Sequence, residues 1–144
     1  MEIKEIQQTD VFYQRARDLR HTLFFKKHDL PFSILDDEKE VCSAHVVIVE
    51  GDTLIGYGRL TRLDNTTYQI SQMVIDPRHQ SQGYGTMLLK ALIERAVASS
   101  AQKITLNART TATRLYAKQG FVSEGETFPS NTTGVEHVTM AYIP

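Results

Sequence analysis

Gln80-Ser81-Gln82-Gly83-Tyr84-Gly85 joins a β-branched stretch to an apolar helical stripe, and its two glycines suit an anion. The first turn of a helix leaves amide hydrogens unpaired and carries partial positive charge, so it can hold phosphates. Gly83 and Gly85 remove side chains that would keep a diphosphate from the backbone. A glycine turn that merely links strand to helix reads equally well from the local pattern. Two other phosphate loops are excluded. A dinucleotide fingerprint would need a third glycine where Leu88 stands, and no Gly-Lys-Ser/Thr follows the glycines. Metal chemistry has no motif either, because His21, His28, His45, His79 and His137 lack His-Glu-x-x-His spacing and Cys42 is the lone cysteine. No metal is therefore expected.

These residues need elements to position them. Thr9 or Asp10 can cap a helix through Val11, Phe12, Ala16, Leu19 and Leu23, after a short first strand within Met1–Gln7. Asp36-Asp37-Glu38-Lys39-Glu40 reads as a solvated charged loop. The run Ala44–Glu50 is β-branched enough for a buried strand. Gly51-Asp52 turns it into a return strand, Thr53–Arg62, and Tyr68–Ile75 makes a third. Asp76-Pro77 ends that meander. Gly83–Ala98 carries Leu88, Leu92 and Ala96 on one helical line, with Leu89, Ile93 and Val97 beside it. A strand Lys103–Asn107, a short helix Ala112–Gln119 and closing strands Phe121–Glu126 and His137–Tyr142 follow. The expected fold class is α/β: a mixed, mostly antiparallel sheet of six to seven strands flanked by helices. Its order is strand, two helices, three strands, helix, strand, helix, two strands, in one domain over residues 1–144.

The 144 residues are 41% hydrophobic and 23% charged, a globular composition. A net charge of −1 argues against a nucleic-acid partner. Val46–Val49 is too short to span a bilayer, and the start has no apolar signal segment. One cysteine points to a reducing compartment, and a cytoplasmic protein is expected.

The pattern Gln80-x-x-Gly83-x-Gly85 resembles the diphosphate loop of the GCN5-related N-acetyltransferases, the GNAT family, and Ile70–His79 leads into it as in that family's central motif. Leu115-Tyr116-Ala117-Lys118-Gln119-Gly120-Phe121 is similar to the family's late Leu-Tyr-x-x-x-Gly-Phe signature. The Leu106-Asn107-Ala108-Arg109 strand end and Gly134-Val135-Glu136-His137 resemble the small ElaA/YjcF-like branch. The likeness covers nearly the whole chain.

The resemblance implies an N-acetyltransferase that moves an acetyl group from acetyl-CoA to a primary amine by direct attack in a ternary complex. It implies a V between Met73–Ile75 and Lys103–Asn107, with Met73, Val74 and Ile75 pairing to the pantetheine arm. The Val74 N–H would then face the thioester carbonyl. Gln80, Ser81, Gln82, Gly83, Tyr84, Gly85 and Thr86 would wrap the diphosphate. Arg78, His79, Arg109, Arg114 and Lys118 are candidates for the 3′-phosphate. Tyr116 would hydrogen-bond the CoA sulfur and act as general acid. Asn107 stands where many relatives place a glutamate, so it would hold water or the CoA arm and cannot be the base. Thr110-Thr111 stands where relatives often carry an asparagine. His137, His45 or a solvent water remains as base. By two-residue alternation Gln72 should share a face with Tyr68, Ile70 and Val74. Asp36, Asp37 and Glu38 would favour a cationic acceptor if their loop bordered the pocket. Relatives commonly form homodimers. The rival reading is a catalytically silent acyl-CoA-binding sensor or partner-binding module.

Overall fold

Val46, Val47, Ile48 and Val49 bury side chains on both faces of their strand, which explains the unbroken apolar run. The computed structural model, which describes residues Met1–Pro144, places that strand second in a seven-stranded sheet. The strands are β1 (Glu2–Ile6), β2 (Ala44–Glu50), β3 (Thr53–Arg62), β4 (Thr67–Ile75), β5 (Lys103–Arg109), β6 (Val122–Pro129) and β7 (Glu136–Tyr142). The sheet order is β1-β2-β3-β4-β5-β7-β6. All neighbours are antiparallel except β4 and β5.

Helix α1 (Val11–Arg20) covers one face and α2 (Tyr84–Ala98) the other; α3 (Thr113–Ala117) is short. Asp10 caps α1 by accepting from the Phe12 amide at 2.9 Å. Phe12, Tyr13 and Ala16 pack on Val47, Val49, Tyr57 and Val74. On the far face Leu88, Leu89, Leu92 and Ala96 meet Val46, Ile48, Ile70 and Ile104. A Cβ on Gly58 would lie 2.6 Å from Leu92 Cδ1, so glycine lets α2 settle directly on β3.

The second helix expected before β2 is realised differently. Helix α1 runs on as a π-helical turn, His21–Phe25, and a 3₁₀ turn, Lys26–His28, before Asp29 turns left-handed. Further 3₁₀ turns at Phe32–Leu35 and Glu40–Cys42 complete the crossing to β2.

The expected solvated loop at Asp36–Glu40 is corrected here: its last residue lies in the interior. Glu40 is 2% exposed and Arg20 is fully buried. Arg20 donates to both Glu40 oxygens at 2.8 Å, Arg59 donates at 2.9 Å and the Tyr13 hydroxyl at 2.6 Å. Arg59 also grips both oxygens of Asp37, and Asp36 pairs with Arg17. Burial pushes the Glu40 carboxyl up, but hydrogen bonds from Arg20, Tyr13 and Arg59, with the Arg20 charge, hold it down at about 2.

A carboxyl lowered from 4.5 to about 2 stabilises the fold fully above pH 4.5, and that stability disappears as pH falls toward 2. Urea unfolding from pH 5 to pH 2 should therefore lose on the order of 3 kcal/mol through this group. Glu40→Gln should be less stable at pH 7, because it leaves two buried guanidinium groups without their charge partner, and its pH slope over that window should be shallower.

Candidate active site

Strands β4 and β5 pair only at Thr67–Gln69 with Lys103–Thr105. Beyond those residues they part, leaving a cleft of about 550 Å³ between Ile70–Ile75 and the end of β5. The V expected between the strands is present, but Lys103, Ile104 and Thr105 belong to its closed vertex. The open arm on β5 starts at Leu106.

The cause of the parting lies in β4. Gln72 has a φ of 56°, and two β4 residues, Gln72 and Met73, oppose the single Gly58 of β3. This is a β-bulge, which bends its strand and resets the alternation of side chains. Ile70 packs toward α2 and Val74 toward α1, although their numbers share parity. The expected common face of Tyr68, Ile70, Gln72 and Val74 is thus broken at Gln72. Ser71 and Gln72 instead both turn toward α1, where Arg59 Nε donates to Ser71 Oγ at 3.0 Å and Arg20 Nε to Gln72 Oε1 at 3.4 Å.

The bulge also changes which amides face the cleft. Asp76 N–H donates to Ile55 O at 2.8 Å, so Ile55 and Asp76 are a bonded pair and Tyr57 and Val74 are the next one. The Val74 N–H therefore points at β3, contrary to the expected role. The amides of Met73 and Ile75 fall on the β5 side.

None of the seven backbone amides from Gln80 to Thr86 donates to another group of the protein. They line a turn in which Ser81 (φ 62°) and Gly83 (φ 88°) are both left-handed, ending at the N-terminus of the 15-residue α2. A non-glycine residue in that region is strained, and such strain gathers at binding sites. Gln80 Nε2 donates to Ile75 O at 3.0 Å and ties the turn to the end of β4. Gln82, Tyr84 and Gly85 complete the turn, with the Tyr84 ring edge-on to His79. A row of unpartnered amides at a helix N-terminus fits a diphosphate. Arg78, a candidate for phosphate, is paired with Asp76.

Tyr116 on α3 and His137 on β7 both line the cleft, with Asn107 and Arg109 of β5. Burial pushes the Tyr116 phenol up, opposed by the positive charge of Arg109, and no protein group hydrogen-bonds its hydroxyl. His137 Nδ1 lies 2.7 Å from Val135 O; the neutral ring donates from Nδ1 there and keeps its Nε2 lone pair free. Asn107 Oδ1 accepts from Thr139 Oγ1 at 2.9 Å. His45 is excluded from the cleft. It is buried, its neutral Nε2–H donates to Glu40 O and its Nδ1 accepts from the Tyr57 hydroxyl. Burial holds its pKa down. Asp36, Asp37 and Glu38 do not line the cleft either.

Two walls were not read from the sequence. Phe24 and Phe25 line the cleft from the π-helical turn, and Ser130–Thr133 lines it from the loop between β6 and β7. The paired aromatics were a signal; the loop, whose Ser130 and Thr133 side chains hydrogen-bond each other, offered none.

A family model described as an acetyltransferase (GNAT) domain matches residues 33–144. The Bacillus subtilis (strain 168) protein YjcF, described as an uncharacterized N-acetyltransferase, is 31% identical over 138 residues, 94% of this chain and 92% of that protein. Escherichia coli ElaA superposes with a TM-score of 0.83 at 18% identity, covering 98% of this chain and 99% of ElaA. A GNAT family acetyltransferase from Elizabethkingia anophelis, solved with acetyl-CoA bound, superposes at 0.77 with 19% identity, covering 99% of this chain and 97% of that one. At these identities the two structures establish the fold alone.

Gly83→Ala tests the turn. A Cβ there meets no atom, so the penalty is purely that of a left-handed L-residue, about 1–2 kcal/mol. Thermal unfolding should show that loss without ligand, together with a smaller melting shift on adding coenzyme A than the unsubstituted protein gives.

Proposed function

We propose, on the premise that this chain belongs to the GNAT acetyltransferase family, that it transfers the acetyl group of acetyl-CoA to a primary amine by direct attack. The observation that carries the reading is the cleft itself: unpartnered amides run up to it through Gly85, and a free phenol and a free imidazole nitrogen line it. Acetyl-CoA, when bound, supplies an activated thioester.

The turn Gln80–Thr86 binds the diphosphate through main-chain donors. Met73 and Ile75 hold the pantetheine arm as an added strand would, and the Met73 amide donates to the thioester oxygen where negative charge develops. That role moves from Val74 because the bulge turns the Val74 amide away. His137 Nε2 takes the proton that the attacking amine loses as the new C–N bond forms and the C–S bond breaks. Tyr116 keeps its own proton at working pH, since burial raises its pKa, and hydrogen-bonds the departing sulfur. Ordinary phenols are weaker acids than thiols, about 10 against about 8.5, so the hydrogen bond matters more than complete proton transfer. Asn107 presents its NH₂ to water or to the CoA arm. Of the candidates for the 3′-phosphate, Arg78 is paired with Asp76, whereas His79, Arg109, Arg114 and Lys118 make no pair with a carboxylate.

Acetyl-CoA at about 100 times its Kd should stabilise the fold by roughly 2.7 kcal/mol, a melting rise of about 5–10 °C at this size. A flat melting curve would remove the donor assignment.

Tyr116→Phe should lower kcat about 100-fold while retaining that melting shift. His137→Ala should lower kcat/KM about 100-fold while retaining the melting shift that acetyl-CoA gives. Loss of the melting shift with no loss of kcat would assign Tyr116 to binding instead.

A further inference from the structure

The cleft is lopsided in charge. Arg109 is its one fixed charge, and neither Asp nor Glu lines it. The Arg109 guanidinium forms no ion pair with the protein and lies over the Phe24 ring, 5.5 Å from its centre, on the wall formed by the π-helical turn. The acidic side chains that might have countered it are engaged elsewhere, Asp36 by Arg17 and Asp37 by Arg59.

The amides of the cleft share the bias. Lys39 Nζ donates to Gln69 Oε1 at 2.9 Å, and Arg20 Nε reaches Gln72 Oε1. Ammonium and guanidinium groups have no acceptor, so each glutamine must turn its oxygen to the cation and keep its NH₂ as an unpartnered donor. Asn107 likewise has its oxygen occupied by Thr139. Three amide donors and a free guanidinium therefore line one cleft.

We propose that the acceptor is an amine carrying an anionic oxygen group, carboxylate or phosphate, received by Arg109 with Gln69 and Gln72 beside it. This rests on the acetyl-transfer reading and specifies its acceptor. The planar guanidinium fork binds either group bidentately, and a charge-assisted pair of this kind discriminates strongly against a neutral analogue. The same positive field disfavours an ammonium, which keeps the attacking nitrogen neutral and repels polycations. Arg109 thus leaves the set of 3′-phosphate candidates for the acceptor side.

The test measures thiol release from acetyl-CoA with ω-amino carboxylates and aminoalkyl phosphates, each beside its neutral amide or alcohol of equal length. An aliphatic diamine and an aminoglycoside serve as cations. The charged member should exceed its neutral twin by about 10- to 100-fold in kcat/KM, and comparing the two series separates carboxylate from phosphate. The ratio should fall to near one in Arg109→Gln and persist, reduced, in Arg109→Lys. Apart from turnover, the preferred anionic amine should raise the melting temperature of the coenzyme A complex of the unsubstituted protein but not that of Arg109→Gln. The unsubstituted protein's preference stands even if Arg109→Gln fails to fold. Equal rates for the twins, or preference for the diamine or aminoglycoside, overturn the inference while leaving acetyl transfer intact. A rise in KM for acetyl-CoA alone in Arg109→Gln returns the guanidinium to the donor and also overturns it. If no amine is acetylated although acetyl-CoA still raises the melting temperature, the acetyl-transfer reading falls and takes this one with it.

Discussion

Arg20 and Arg59 hold the bulge of β4 from behind, and the cleft depends on that grip. A left-handed residue inside a strand is costly unless its surroundings over-determine it. Here Arg59 fixes Ser71, Arg20 reaches Gln72, and Glu40 fixes both arginines. The strand then bends away from β5, Met73 turns an amide outward, and a ligand can take the place of the missing ladder.

The ion cluster is an expensive device for this purpose. Well-packed apolar side chains often match or exceed the stability of a buried ion pair. An apolar filling, however, has no directional donors with which to orient a serine and a glutamine at the floor of a cleft. Tyr13, Tyr57 and His45 close the remaining polar valences around it, so the cluster is satisfied on every side. It joins α1, the segment before β2, β3 and β4, and so fixes how these four elements stand to one another around the bulge.

Much of the fold was legible because its signals are local. Val46–Val49 announced a buried strand, Gly51-Asp52 a hairpin, and Leu88, Leu89, Leu92 and Ala96 an apolar helix, all four of them buried in the structure. The glycine turn that opens α2 and the tyrosine that lines the cleft stood out through their motifs. What escaped depends on partners distant in sequence. Glu40 reads as one more acid in Asp36–Glu40 until Arg20 and Arg59 converge on it from other elements. Gln72 alternates properly with its neighbours by number, and only the count against β3 exposes the extra residue. The π-helical turn escaped for a related reason: it continues the same residue pattern as α1, yet its wider winding brings Phe24 and Phe25 round to the cleft.

The short parallel contact has a consequence for how the chain assembles. Strands β1 to β4 form antiparallel neighbours, most of them joined by tight turns, whereas β5 must reach β4 across the whole of α2 and secures only three bridging residues there. Loop-closure entropy favours early formation of the meander β2-β3-β4, with the C-terminal leaf of β5, β7 and β6 docking afterwards. The seam between those two leaves is the cleft itself, so on this order the proposed binding site is completed only when the C-terminal leaf docks.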